Sequence, residues 1–499
     1  MLSKHLKKFL NSKKNSFLFG DYIRNYSRVD SNKLIKKFLT IIGRNGKKKL
    51  KKQLGIAIYL PRDANYFLAI FSIWLSGNYF IPLNQLWPEK HLKKILNHSK
   101  PDLIISDRKI FNFKKVYKIL YLKDILIIKD DNKQIFKREK ISDKNIAYII
   151  YTSGSTGTQK GVIITRENFN SYLNWVRKYL KPQVNKSNSL LVTSEMTFDL
   201  VLGDLANALA FDSTIYITPE TNNIIKAFKM IIEKKIDTIY GVPSTLNNIF
   251  MFSKLRKKKE LKNLKNILSG GDVFTPNLLK LIKNECPTSK IFNVYGPTEL
   301  TINVLCQNLS NFKKNKNDQI PIGFGFNHLD YKFYDKDKKV FNNSEGELVV
   351  SGKQSMLGYL KDPKRTKMSF IKHRNKNYYR TGDLFYKKKN IFYYTGRFDR
   401  QVKIKGYRIN LNSLDNFFNK LDIVREVKTI LIENTQKIKK IFSFIVVKNN
   451  NKKNSLKELE KKTQNFFPSY MCPNKIFILK KLPYNANGKL DEKKLKILV

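Results

Sequence analysis

The string YTSGSTGTQKG (151–161) runs from an apolar stretch into a loop of glycines and hydroxyl residues that ends at Lys160. Glycines let backbone N–H groups approach a polyphosphate, the hydroxyls of Ser153, Ser155 and Thr156 can donate to its oxygens, and Lys160 can neutralise its charge. It is not a Walker loop. The Gly-x-x-x-x-Gly-Lys-Ser/Thr spacing is absent, and a strand rather than a helix is expected to follow. Alone, such a small-residue loop reads equally well as a plain turn. Two further strings carry carboxylates at short spacing from aromatic or basic residues, NVYGPTEL (293–300) and YRTGDL (379–384). In the first, Glu299 offers a hard oxygen ligand for Mg²⁺. In the second, Asp383 is either an acceptor for a pair of hydroxyl donors or a turn-forming residue after Gly382.

The elements that would hold these strings are legible from hydrophobic runs. From Leu54 onward short apolar runs suited to buried strands alternate with helix-length segments, as in GIAIYL (55–60), NYFIPL (78–83), DLIIS (102–106) and IAYIIY (146–151). The alternation continues through LLVT (190–193), STIYIT (213–218), DTIYGV (237–242), KNILSG (265–270) and KIFNVYG (290–296). This predicts α/β layers with largely parallel sheets. After about Gly323 the runs shorten and alternate, as in GELVVSG (346–352) and IFYYTG (391–396), which predicts a small antiparallel, barrel-like piece over about 323–398. GRFDRQVKIKGYRIN (396–410) reads as a boundary. The expected organisation is a large N-terminal α/β domain over 1–398 and a small mobile α+β domain over 399–499.

At 499 residues and 41% hydrophobic content the chain can bury several cores. The net charge of +56 raises nucleic acid or an anionic membrane as partner. The lysines are scattered among Asn, Ile, Phe and Tyr, however, and no reading helix, RNA-stacking platform or zinc module accompanies them, so no nucleic-acid partner is expected. The three cysteines, Cys286, Cys306 and Cys472, lack metal or disulfide spacing and fit a reducing cytoplasm. Met1–Phe19 has no uninterrupted apolar core of a secretory signal. Tyr66–Leu83 is broken by Ser72, Ser76, Gly77, Asn78 and Pro82 and reads as a buried helix followed by a strand, so no membrane span is expected.

YTSGSTGTQKG, NVYGPTEL, GELVVSG, YRTGDL, GRFDRQVKIKGYRIN and NANGKLD (485–491), in this order across nearly the whole chain, resemble the adenylate-forming superfamily. That group contains peptide-synthetase adenylation domains, acyl-CoA ligases and luciferases. The resemblance implies ATP and Mg²⁺ as cofactors and an ATP site built from Thr152, Ser153, Gly154, Ser155, Thr156, Gly157 and Lys160. Gly270, Gly271 and Asp272 would line the adenine edge, and Asn293, Val294, Tyr295, Gly296, Pro297 and Thr298 would continue the site, with the Tyr295 ring as a flat face for adenine and the Thr298 hydroxyl on a phosphate. Asp383 would accept from the ribose hydroxyls, and Arg397 would make a second ribose or phosphate contact. Lys489, Glu299 and Thr156 would be catalytic, Lys489 by reaching the α-phosphate and the substrate carboxylate. Asp399 or Lys403 would be the hinge about which the C-terminal domain swings between adenylation and thioester formation. Two positions depart from the family pattern. Gln159 replaces a common proline, and Asn410 replaces an acidic residue.

TFDLVLGD (197–204) bears on the substrate, because family members acting on α-amino acids place an aspartate after an aromatic residue here. Asp199, following Phe198, would pair with the ammonium group; otherwise it is an exposed helix cap. The rest of the pocket would comprise Leu200, Gly203, Tyr240, Leu268, Gly270, Val294, Ile302 and Asn303, with Lys489 at the carboxylate. These walls carry no second charge and imply a small or modest neutral amino acid, although Gly203 could instead leave room for a larger side chain. ENFNSYLNWV (167–176) and SMLGYLKD (355–362) look closest to D-alanine:carrier protein ligases and stand-alone peptide-synthetase adenylation domains. The implied reaction is ATP-dependent adenylation followed by transfer to the phosphopantetheine thiol of a carrier protein in trans, an AMP-forming ligase activity. No attachment motif for phosphopantetheine occurs in the chain, and its basic surface would steer an acidic carrier. The alternatives are an acyl- or aryl-CoA ligase and, more remotely, a basic nucleic-acid-binding protein.

Overall fold

The computed structural model describes residues 1–12, 17–46, 52–109, 117–128, 141–152, 159–181, 188–221, 223–256, 260–312, 319–335, 340–342, 344–434, 439–448, 452–484 and 490–499. The chain forms two compact units. One comprises 1–85, 100–150 and 161–398; the other gathers 86–99 and 151–160 with 399–499.

In the first unit the apolar runs become strands buried on both faces, because helices cover the sheets. One sheet has nine strands among the described residues, and its centre is the parallel series Thr214–Ile217, Ser189–Val192, Thr238–Gly241, Asn266–Ser269 and Lys290–Tyr295. Antiparallel strands close both edges, Leu305–Asn308 and then Phe324–Gly325 beside Lys290–Tyr295, and Asn25–Ser27 beside Phe17–Gly20. A second, seven-stranded sheet carries Tyr79–Pro82, Gly55–Tyr59 and Leu103–Ser106 in parallel, with Ile146–Thr152 joining at Phe80↔Tyr148. Both phosphate-loop flanks are strands, Ile146–Thr152 before it and Lys160–Thr165 after it, as the sequence predicts. Tyr66–Leu83 resolves into the buried helix Ala64–Leu75 and the strand Tyr79–Pro82. No helix among the described residues is long and apolar enough to cross a membrane.

The third sheet is wholly antiparallel, with Asp330–Asp335, Glu345–Ser351 and Lys376–Lys388 at its centre and Ile391–Arg397 paired to the last of these. In the other unit Val424–Glu433 and Lys439–Val447 pair antiparallel and Lys475–Leu479 adds in parallel, under the helices Leu411–Phe418 and Lys452–Gln464. Asn410 caps the first of these helices by accepting from the Asn412 N–H at 2.9 Å. An uncharged acceptor therefore fills the position where the family pattern has an acid. Gln159, the other departure, meets His91 Nε2 at 2.7 Å.

The helix Leu200–Phe211 is buried along its whole length, with residues against the sheet on one side and the helix Arg166–Trp175 on another. It nevertheless carries Asp204, fully buried, with neither carboxylate oxygen hydrogen-bonded among the described residues. Burial holds this carboxyl well above the usual carboxylate range, and only the charge of Arg62 opposes the shift. A folded-state pKa above the unfolded value means that the folded form binds the extra proton. The associated stability is fully present below the ordinary carboxylate pKa and is lost as pH rises toward the folded value. Asp204→Asn should therefore raise the melting temperature more at pH 8 than at pH 5, measured by thermal unfolding across that range; an equal shift at both would contradict it.

Candidate active site

The strand Lys290–Tyr295 ends in the central sheet at Tyr295, and the chain then turns through Gly296 and Pro297 into the short 3₁₀ turn Thr298–Leu300. A side chain at Gly296 would stand 2.6 Å from Asn303 Cα, so only glycine lets the returning chain pass there. This turn buries Glu299 completely. Tyr359 donates its hydroxyl to Glu299 Oε1 at 3.0 Å, and the Glu299 carbonyl accepts from Met356 N at 2.8 Å. Thr298 is half-buried on the same turn.

Asp383 comes from a different sheet. The antiparallel register of Lys376–Lys388 against Ile391–Arg397 sets Asp383 directly opposite Arg397. The two form a buried ion pair, Arg397 Nη1 to Asp383 Oδ1, and the second carboxylate oxygen accepts from the Tyr295 hydroxyl at 2.5 Å. Burial and the neighbouring Asp383 charge push the Tyr295 phenol well above its ordinary pKa, so it stays a donor. Thr381 ties its hydroxyl to Leu348 O at 2.7 Å and receives the Asp383 N–H at 3.1 Å, while Glu347 accepts from the Gly382 N–H at 3.0 Å. Asp383 is thus part of a built cluster joining Tyr295, Arg397 and Thr381, and not merely a turn former. Asn293 is buried and donates to Pro321 O at 2.8 Å. Asp272 accepts from the Val273 N–H at 2.8 Å.

A second group surrounds the start of the helix Leu200–Phe211. Asp199 is 8% exposed and makes no side-chain cap bond, so the exposed-cap alternative does not describe it. Its charge, after burial itself, contributes to raising the pKa of the Tyr148 hydroxyl, and more weakly those of Tyr172 and Tyr240. Tyr240 lies across Gly203, where a side chain would stand 2.6 Å from the ring and 3.1 Å from an Ile302 methyl. Any side chain added at Gly203 would therefore meet the Tyr240 ring and Ile302. Gly270 packs as closely on Val294, and Leu268 pairs with Tyr240 across neighbouring strands. Leu200 lies against Gly271, whose φ of +86° suits glycine. Asn303 shares hydrogen bonds with the Tyr240 hydroxyl at 2.9 Å and the Tyr172 hydroxyl at 3.1 Å. Phe198 is half-buried immediately before Asp199.

In the other unit Thr152 is the last residue of one strand and the buried Lys160 the first of the next, and Asp399 accepts from the Gln401 N–H at 3.2 Å. Lys403 lies within the strand Gln401–Ile404. Ser153, Gly154, Ser155, Thr156, Gly157 and Lys489 lie outside the described residues. Sequence reasoning missed Tyr172, Tyr359, Thr381 and Glu347. All four stand in strings read above, but the partner lies far along the chain, 35 residues away for Glu347.

Removing one partner of a buried ion pair leaves the other uncompensated, at a cost of about 3–5 kcal/mol. Arg397→Ala should lose stability of that order in urea unfolding, and adding Asp383→Asn to it should recover part of the loss. Strictly additive losses would show that the pair is not coupled.

Residues 45–360 match the family described as AMP-binding enzyme, and residues 414–489 match the AMP-binding enzyme C-terminal domain. A D-alanine--D-alanyl carrier protein ligase of Bacillus licheniformis is 27% identical over 427 residues, covering 84% of each chain. Among solved structures, the amide bond synthetase McbA from Marinactinospora thermotolerans superimposes with a TM-score of 0.84 at 14% identity, covering 99% of each chain. The Vibrio cholerae adenylation domain AlmE, in complex with glycyl-adenosine-5'-phosphate, does so with a TM-score of 0.81 at 19% identity, covering 99% of this chain and 97% of that one. With its motifs in order, both family segments matched and the same fold, this chain belongs to the AMP-binding enzyme family.

Proposed function

We propose that the chain activates a small neutral amino acid, D-alanine foremost, as its adenylate and passes the aminoacyl group to the phosphopantetheine thiol of a carrier protein in trans. The observation that carries this reading is the buried carboxylate of Asp199, set among uncharged walls beside Tyr148, Tyr172 and Tyr240. A buried acid in the pocket favours a substrate with a compensating ammonium and penalises one without it by roughly 1–3 kcal/mol. The Bacillus relative named D-alanine--D-alanyl carrier protein ligase supports the choice of acid and acceptor, as does the glycyl adenylate held by AlmE.

In the first step a substrate carboxylate oxygen attacks the α-phosphorus of ATP, and the bond to the β-phosphate oxygen breaks, releasing pyrophosphate. In the second the carrier thiolate attacks the acyl carbon, and AMP leaves with the bonding pair. Asp383 orients the ribose by accepting hydrogen bonds from its hydroxyls, with Arg397 and Tyr295 holding that carboxylate in place. Lys160 meets the phosphates. Lys489, in our assignment, approaches the α-phosphate and the substrate carboxylate and offsets the charge that builds there; Thr156 supplies a hydroxyl to the same phosphates. No cluster of three or more His, Cys, Asp or Glu suited to a metal occurs among the described residues. The single buried carboxylate of Glu299 fits Mg²⁺, which commonly takes one or two protein carboxylates and completes its shell with phosphate oxygens and water. There it would neutralise phosphate charge. The division of the chain after Phe398 supports Asp399 as the hinge, whereas Lys403 is held in a paired strand. We place the enzyme in the cytoplasm, where ATP is abundant and its free cysteines stay reduced.

The test is ATP–pyrophosphate exchange with purified protein and Mg²⁺ across proteinogenic amino acids, D-alanine and simple carboxylic acids. Exchange is expected with one small neutral amino acid, abolished by Asp199→Ala. Exchange driven solely by acids without an ammonium group would refute the reading. Lys489→Ala should lower the exchange rate by about 10²–10³-fold with ATP binding retained by calorimetry; an unchanged rate would remove Lys489 from the mechanism.

A further inference from the structure

The chain leaves the Thr298–Leu300 turn through two consecutive residues in the left-handed region, Thr301 at φ 58° and Ile302 at φ 76°. A β-branched residue is a genuine outlier there, and such a conformation persists only where its surroundings over-determine it. The surroundings here are largely one side chain. Gln354 is fully buried, and its amide nitrogen donates to the carbonyls of Leu300 at 3.1 Å, Thr301 at 3.3 Å and Asn303 at 2.8 Å. The Gln354 backbone carbonyl accepts the Thr301 hydroxyl at 2.6 Å. His328 Nε2 faces Gln354 Oε1 at 2.8 Å, so the amide presents its nitrogen, not its oxygen, to the turn.

The same turn supplies the far wall of the pocket. Ile302 covers Gly203 from one side while the Tyr240 ring covers it from the other. Asn303, the next residue, ties the Tyr240 and Tyr172 hydroxyls together. The wall that limits the substrate's side chain therefore hangs on a backbone conformation that Ile302 does not favour. We infer that Gln354 is a positioning residue for substrate size. It holds the Thr301–Ile302 turn in its left-handed form, keeping Ile302 and Tyr240 packed over Gly203 and excluding larger side chains. This rests on the adenylation reading above.

The experiment is the ratio of ATP–pyrophosphate exchange with leucine to that with alanine, each as both stereoisomers, alongside acetate and hexanoate. It compares wild type with Gln354→Leu, which removes the hydrogen bonds, and Ile302→Gly, which deletes the wall and suits a positive φ. His328→Leu, which frees the amide to turn over, serves should Gln354→Leu fail to fold. The large-to-small ratio is expected to rise by roughly tenfold or more in Gln354→Leu and Ile302→Gly, and in the same direction in His328→Leu. Folded variants that slow all acids in equal proportion, leaving the ratio unchanged, would overturn the inference. A wild type that exchanges with no amino acid would sink the amino-acid reading alone, because hexanoate against acetate still reports the size limit.

Discussion

The arrangement of the site follows from a single constraint, that a carboxylate taken out of water must be given opposite charge and hydrogen bonds. Asp383 meets it with Arg397 on one oxygen and the Tyr295 hydroxyl on the other. Those partners come from different sheets, and satisfying the carboxylate fixes the end of the strand Lys290–Tyr295 against the strand Lys376–Lys388. Glu299 accepts a hydrogen bond from the Tyr359 hydroxyl, from a segment 60 residues further along. These buried acids thereby act as fasteners between the layers of the large unit.

Backbone shape is the second constraint. Glycines at 203, 270 and 296 admit neighbours that any side chain would displace, namely the Tyr240 ring, a Val294 methyl and the Asn303 backbone. The close approach brings Tyr240, Ile302 and the Glu299 turn together around one strand end. Packing of this kind is intolerant of added volume, so the space around Gly203 is a property of the whole cluster and not of any one residue.

The large positive charge has little part in this construction. Arg28 pairs with Asp212, Arg380 with Glu347 and Arg400 with Asp415, all partly buried and structural. Lysines and arginines outnumber acids 96 to 40. A long-range positive field follows from that excess, and it favours anionic substrates and an acidic protein partner.

Local pattern was enough to determine the strand runs, the parallel α/β layering and the change to antiparallel strands after Gly323, since these depend on near-neighbour periodicity and side-chain type. The family followed from the order of the motifs. Pairing across long separations was not legible. Nothing near Tyr295 announces Asp383, and nothing in the text around Gln354 announces the carbonyls of Leu300, Thr301 and Asn303. Gly203 shows the difference most directly. As a letter it permits either an open pocket or a close neighbour, and only the tertiary structure, by laying Tyr240 and Ile302 across it, decided for the neighbour. The physical reason is that volume and burial belong to the assembled set of contacts, whereas periodicity and chemical type belong to the chain.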